Sequence, residues 1–310
     1  FSFNFFNKEK ETLRNACTEV TSEDDSDVCN LGSVNLGRID SIEEFRTAVD
    51  LGTKFLMCGT LRAKLPYNKV ARVREKNRRL GLGLMGIHEW LLKKGYKYEV
   101  TPELHQWLSI YKGVSDSVSA AYADKLQISR PVANRAIAPT GSIGILAGTS
   151  TGIEPIYAVA YKRRFLSGGT KWNYQYVVDS AAQEIIEVYG TDPDKIETAA
   201  DLASDYKRRI AFQADVQDYV DMSISSTINL PAYGSKLNND DTVEDFTKTL
   251  ASYAHRLRGF TVYPDGCRGG QPLTLVPYEE AKTKLGETFE EHITTHDVCE
   301  LTSHGGTCNA

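Results

Sequence analysis

The sequence lacks an uninterrupted apolar run of the roughly 18–20 residues that a membrane-spanning helix needs. Its first residues, FSFNFFNKEK, lack the basic start and small-residue cleavage site of a secretory leader. Positive charge is not in surplus: 36 Lys and Arg against 41 Asp and Glu leave a net charge of −5. There is therefore no general pull toward nucleic acid or an anionic membrane, although a local basic cluster can still hold phosphate. Internal repeats and low-complexity tracts are also missing. Six cysteines are spread over 310 residues without close regular spacing. That pattern points to a reducing, cytoplasmic setting with particular tasks for some thiols, and away from a disulfide scaffold. Finally, no methionine opens the chain. An apolar, phenylalanine-rich end is unfavourable in water, so we expect the sequence to begin inside a larger protein.

What is present reads as α/β. VCNLGSVNLG is strand-like, and Ser41 with Glu44 has the spacing of a capping box ahead of a helix carrying Ile42, Phe45, Val49 and Leu56. The acidic run SEDDSD (22–27) before it reads as a solvated loop. Thr101-Pro102 starts a second helix, with Leu104, Trp107, Leu108, Tyr111 and Val114 on one face. Later, SSTINLP, TVEDFTKTLASYAHRLR and GFTVYPDG read as strand, helix and strand. A strand–helix–strand series at this spacing implies a parallel pair. Beyond about Pro277 the sequence turns polar and reads as a tail.

Four motifs carry chemistry, each with a plainer alternative. GLGLMG (81–86) fits the G-x-G-x-x-G dinucleotide fingerprint, but charged REKNRR precedes it where a strand belongs, so close helix packing is the better reading. In APTGSIG, Pro139, Thr140, Gly141 and Ser142 follow a strand and precede a helix start. Free amides and two hydroxyls there suit an anionic oxygen, although an ordinary turn fits the same residues. Cys17 has Asn15 at i−2 and Glu19 at i+2, and an extended loop puts all three side chains on one side. Glu can then take a proton and Asn can orient a hydroxyl, yet the pattern is common by chance. At the C-terminal end, His296, Cys299, His304 and Cys308 loosely resemble a zinc knuckle. Cys299 and Cys308 equally form a mobile dithiol arm, or incidental cysteines of a tail.

Taken in order, NACTE, VCNLGSVNL, NRRLGLGLMG, APTGSIGILAGTSTGIEP and SISSTINLP with GFTVYPDG resemble the catalytic subunit of ribonucleotide reductase. Any one segment is unremarkable; the ordered set is specific. The resemblance implies reduction of ribonucleotides to deoxyribonucleotides for DNA synthesis, by thiyl-radical chemistry on a ten-stranded α/β barrel. Residues 1–276 would hold the finger loop and second half-barrel, with helices packed outside, and 277–310 the tail. The first half-barrel would be missing, so we expect the chain alone to be inactive. Cys17 matches the radical cysteine, Glu19 the base for the 3′-hydroxyl, Asn15 the amide that holds the substrate hydroxyls, and Cys29 one of the reducing pair. Residues 139–142 match the substrate-phosphate loop, and GLGLMG falls in a helical segment.

The motifs are most similar to the adenosylcobalamin-dependent branch. Tyr263 stands alone where the branch using a metal-containing small subunit has two tyrosines to relay the electron, so a radical from such a partner is the second expectation. Substrates would be ribonucleoside di- or triphosphates, and Cys299 with Cys308 would pass electrons from a thioredoxin or glutaredoxin type reductant. No direct nucleic-acid or membrane partner is expected. Two alternatives are of different kinds: a zinc-binding interaction module on an inactive half-barrel, and a nicotinamide dehydrogenase using GLGLMG.

Overall fold

The structure, a computed structural model, describes residues 11–167, 171–265, 267 and 273–290. It begins with a short antiparallel hairpin, Leu13–Arg14 (β1) against Thr21–Ser22 (β2), with residues 15–20 as its tip. Asn30–Asn35 (β3) follows, then Ile42–Arg62 (α1), Asn68–Asn77 (α2) and Leu80–Met85 (β4). The Ser41 hydroxyl accepts the Glu44 amide at 3.2 Å and so caps α1 as the sequence spacing requires. Phe45, Val49, Leu56 and Met57 face inward from that helix. The chain leaves α2 through Arg78, whose φ of 42° ends the helix in the left-handed region.

GLGLMG is not a helical segment. Its first five residues lie in β4, whose residues Leu80 to Met85 are all buried, and Gly86 caps α3. The strand pairs in parallel with β3, from Asn30↔Leu80 to Asn35↔Met85. Its other edge meets residues 133–138: the Leu80 and Leu82 amides donate to the carbonyls of Ala133 and Asn134, each at 3.0 Å. A strand paired on both edges and covered on both faces reads as an unbroken apolar run, and its glycines permit close approach. A Cβ on Gly83 would stand 2.6 Å from the Ala136 carbonyl oxygen, and one on Gly81 would stand 2.9 Å from Cys29 Sγ.

Next come Ile87–Lys93 (α3), Pro102–Leu126 (α4) and Gly141–Ala147 (α5). Thr101 caps α4 through its side chain, and Leu104, Trp107, Leu108 and Tyr111 are buried as expected. Phe45 and Trp107 pack with ring centroids 5.0 Å apart, which joins α1 to α4 over the parallel strands. Ala160–Ser167 (β5) and Lys171–Val178 (β6) form an antiparallel pair, followed by Ser180–Tyr189 (α6), Ala199–Leu202 (α7) and Tyr206–Gln217 (α8). Thr227–Leu230 (β7), Asp240–Tyr253 (α9) and Thr261–Pro264 (β8) then make the expected parallel unit, with Thr227 opposite Thr261. Ile137 bridges Ile224 in parallel, so five parallel segments stand side by side: β3, β4, 133–138, 223–230 and β8. These segments do not close on themselves, so among the described residues the architecture is an open α/β half-barrel.

Residues 278–290, placed in the tail on sequence, join this fold. Leu273–Leu275 (β9) pairs with β5, Tyr278–Thr283 (α10) packs on the sheet, and Thr288–Glu290 (β10) pairs with β6. Tyr176 and Phe289 bury apolar area there that composition alone does not reveal. His296, Cys299, His304 and Cys308 lie outside the described residues. Among the described residues no helix is long and apolar enough to cross a membrane.

Candidate active site

The hairpin tip holds Cys17 at its exposed end. Residues 15–18 form a turn closed by the Thr18 amide donating to the Asn15 carbonyl at 3.0 Å, with Thr18 at φ 69°. The extended geometry that would align Asn15, Cys17 and Glu19 is therefore absent: Asn15 and Cys17 are exposed and Glu19 is buried. The Asn15 side-chain oxygen accepts the Val20 amide at 3.0 Å, which closes the tip and leaves its NH2 group to donate elsewhere. The Glu19 carbonyl accepts the Ser223 amide at 2.9 Å, so the tip is docked on the fourth parallel segment. Glu19 is only 2% exposed, and its Oε2 has no hydrogen-bond partner among the described residues. A buried carboxylate oxygen without a donor is costly unless a ligand or proton meets it.

Cys29 sits just before β3, packed with Val20 of the tip, Ala133, Ala136 and Met222. Burial pushes its thiol up to about 12; Arg79 pulls it down, while Asp27 and Glu19 add to the rise. The thiol is therefore protonated at neutral pH. Gly81 makes the space it occupies. Asn30 amide contacts to Thr60 at 3.1 Å and to the Leu56 carbonyl at 3.4 Å hold the start of that strand.

Two buried arginines fix the base of the hairpin, and sequence reading missed both. Arg79 donates to Asp27 at 2.8 Å and to the Ser22 hydroxyl at 3.3 Å. Arg258 pairs with Glu11 at 2.6 Å and reaches Thr21 at 3.4 Å. The acidic run is thus no mere solvated loop: Asp24 and Asp27 accept from Asn77, and Asp25 pairs with Lys69 of α2. A charged residue directly before a wholly apolar strand was the one available sign for Arg79.

The third parallel segment leads straight into the turn at 139–142. Thr140 adopts φ 50°, its carbonyl accepts the Gly144 amide at 2.7 Å, and its hydroxyl accepts the Gly152 amide at 2.7 Å. Ser142 is exposed, and the first-turn amides of α5 have no intrahelical acceptor. At seven residues α5 has a modest dipole, so its attraction for an anion rests on those amides and the hydroxyls. Tyr263 lies on β8 and lines a cleft of ≈ 460 Å³ with Tyr157, Asn229, Leu230, Pro264 and Cys267. Among the described residues no group of three or more His, Cys, Asp or Glu is arranged to hold a metal ion.

Comparison with known proteins bears on this arrangement. The sequence profile described as "Ribonucleotide reductase, barrel domain" matches residues 4–106 and 132–263. A vitamin B12-dependent ribonucleoside-diphosphate reductase of Mycobacterium tuberculosis (strain H37Rv) is 26% identical over 85% of this chain and 42% of its own length. A protein of the same description from Thermoplasma acidophilum is 28% identical over 84% of this chain and 39% of its own. The chain thus spans about two fifths of the length of these curated relatives. Among solved structures, a B12-dependent (class II) ribonucleotide reductase superposes with a TM-score of 0.72 at 16% identity, over 88% of this chain and 42% of that one.

Proposed function

Because the chain belongs to the ribonucleotide reductase barrel-domain family, we propose that it carries the radical and reducing half of a ribonucleoside-diphosphate reductase active site. The observation that carries this reading is the hairpin itself. It presents an exposed thiol at its tip and, two residues on, a buried carboxylate oxygen with no partner among the described residues, beside a second thiol held protonated.

In this reading a thiyl radical at Cys17 removes the 3′ hydrogen of the ribose. Glu19 takes the 3′-hydroxyl proton, which gives its vacant oxygen a hydrogen-bond partner. The 2′-hydroxyl leaves as water after protonation. Cys29 and a second thiol supply the two electrons and become a disulfide. One of their two protons is the one that leaves with the 2′-hydroxyl as water and the other goes to C2′, after which Glu19 returns its proton to the 3′ oxygen and Cys17 returns the 3′ hydrogen. A thiol pushed up to about 12 suits Cys29 to give a proton rather than to lose one beforehand. Asn15 offers its NH2 to the substrate hydroxyls. The amides and hydroxyls at 139–142 take the phosphates. Cys299 and Cys308 would re-reduce the disulfide by thiol exchange with a thioredoxin or glutaredoxin type partner.

The relatives' names support adenosylcobalamin, which when bound would supply the one-electron oxidant for the Cys17 thiol. The exposed position of Cys17 fits access by a bulky group from outside this chain. A radical delivered through Tyr263 from a metal-containing subunit is the second route, supported by the place of Tyr263 on the wall of a cleft at the ends of β7 and β8.

The test joins this chain to the first half-barrel of a homologous reductase and supplies a ribonucleoside diphosphate, a dithiol and adenosylcobalamin. Deoxynucleotide is expected from the wild type, and none from Cys17→Ser despite retained nucleotide binding. Turnover by that variant would sink the assignment. Product only with an added metal-containing subunit would move the radical source to the partner.

A further inference from the structure

At the carboxyl ends of β3 and β4 lies a charged cluster, built around a buried carboxylate, that the radical chemistry does not use. Glu89 of α3 is fully buried. It pairs with Lys93 at 2.8 Å, and Arg38 stands 3.6 Å away. Lys93 and Arg38 both bind Glu184 of α6, at 2.9 and 2.6 Å. Two acids therefore meet two bases, the condition under which charges tolerate burial. Space for the Glu89 carboxylate is reserved by Gly37, where a Cβ would stand 2.5 Å from Oε2. Gly86, at φ 73°, plays the same part for Asn35 and Thr149.

This cluster grips one piece of chain. The Thr149 hydroxyl donates to the Glu89 carboxylate, with Asn35 Oδ1 at 3.1 Å on its other side. Arg38 donates to the Gly148 carbonyl at 2.9 Å. The Glu89 amide donates to the Ser150 hydroxyl at 3.3 Å, and the Gly86 amide to the Ser150 carbonyl at 2.8 Å. Residues 148–150 directly follow α5, and Thr149 is bonded back to it through Gly144 at 3.0 Å. At the other end Thr140 is tied to Gly152. The segment 140–152 is thus a closed loop clasped to the strand ends by Glu89 and its counter-ions, while its outer residues Ser142, Ile143, Ile145 and Leu146 stay exposed.

We propose that Glu89 is a positioning residue for the turn at 139–142, setting its place over the strand ends and so its affinity for a nucleotide's phosphates. The inference rests on the assignment of that turn to substrate phosphate. Glu89 touches no substrate; it acts through Thr149 and, with Arg38, through Gly148. A loop bearing several exposed apolar side chains has little burial to hold it, so the clasp supplies its order.

The experiment is amide hydrogen exchange on this chain joined to the first half-barrel of a homologous reductase, with ADP as the probe, for wild type, Glu89→Gln and Thr149→Val. Glu89→Gln keeps the shape but removes the charge opposite Lys93 and Arg38. Thr149→Val removes only the hydroxyl contact and covers the case in which the first variant fails to fold. Exchange at 141–150 is expected to rise about tenfold in both, with β5, β6 and α9 unchanged, and ADP is expected to protect 141–143 in the wild type but not in the variants. Unchanged exchange at 141–150, or an equal rise across the whole molecule, overturns the proposal. Protection by ADP that persists in both variants also overturns it. A wild type that ADP does not protect refutes the phosphate assignment instead, and Glu89 would then order a structural turn.

Discussion

At the scale of single residues, the two cysteines near the start of the chain differ in physical state. Cys17 is exposed at a turn, while Cys29 is packed among apolar side chains with its thiol pushed up to about 12. Alkylation with iodoacetamide at pH 7.5, followed by mass spectrometry, should label Cys17 at least about tenfold faster than Cys29, because the thiolate is the nucleophile. Equal labelling would contradict the burial of Cys29. Asp179 caps α6 by accepting the amides of Ala181 and Ala182, yet burial raises it to about 6, with Glu89 adding to the rise. Its folded value lies above its unfolded one, so between pH 4 and 6 the folded state holds the extra proton and this group's contribution to stability falls as pH rises. Asp179→Asn keeps the acceptor for the cap and removes the buried charge. It should stabilise the protein by about 1 to 2 kcal/mol at pH 7.5 and by nothing at pH 4, read from urea unfolding at both pH values. His88 works in the opposite sense: buried and lowered to about 3, it withdraws stability as pH falls below its ordinary value. Residue identities alone showed the N-x-C-x-E pattern but not its geometry, because a positive φ at Thr18 turns the chain where an extended loop was expected.

Elements were legible where periodicity and caps agree. The helices after Ser41 and Thr101 start where those side chains accept first-turn amides, and their apolar faces are the buried ones. The same reasoning failed at GLGLMG. Its glycines suggested helix packing or a nucleotide fingerprint, whereas they are needed because β4 has a neighbouring strand on each edge. Gly83→Ala tests this reading of the strand: a methyl 2.6 Å from a backbone carbonyl has no flexible partner to move aside, and a loss of about 3 kcal/mol is expected in chemical denaturation. Gly95→Ala, with nothing within 4 Å but a φ of 70°, should cost about 1 kcal/mol, from backbone strain alone. Similar costs at the two positions would mean that β4 is not packed as described.

For the whole molecule, the hairpin with Cys17 is held to the barrel by buried polar contacts at its base, by the Glu19–Ser223 backbone bond and by Val20 packed on Ala133, Ala136 and Met222. Arg79 and Arg258 connect strand starts on the far side of long sequence separations to Asp27, Ser22, Glu11 and Thr21. Arg79→Met leaves Asp27 buried without its main counter-charge and should cost about 3 to 5 kcal/mol. Limited proteolysis should then cut within 20–28 before any site in α1 or α4; unaltered resistance there would show that the hairpin is held by other means. Membership of the reductase family, the α/β class and the ordered set of motifs were all available from the sequence, because they reside in local patterns and residue order. The tertiary structure decided what depends on pairs distant along the chain: that β4 is a central strand, that 278–290 complete an antiparallel sheet, that Glu19 is buried while Cys17 is exposed, and that the acidic run is paired with the buried Arg79 and with Lys69 and Lys76 of α2. Burial and charge pairing are properties of what surrounds a residue, and only folding determines those surroundings.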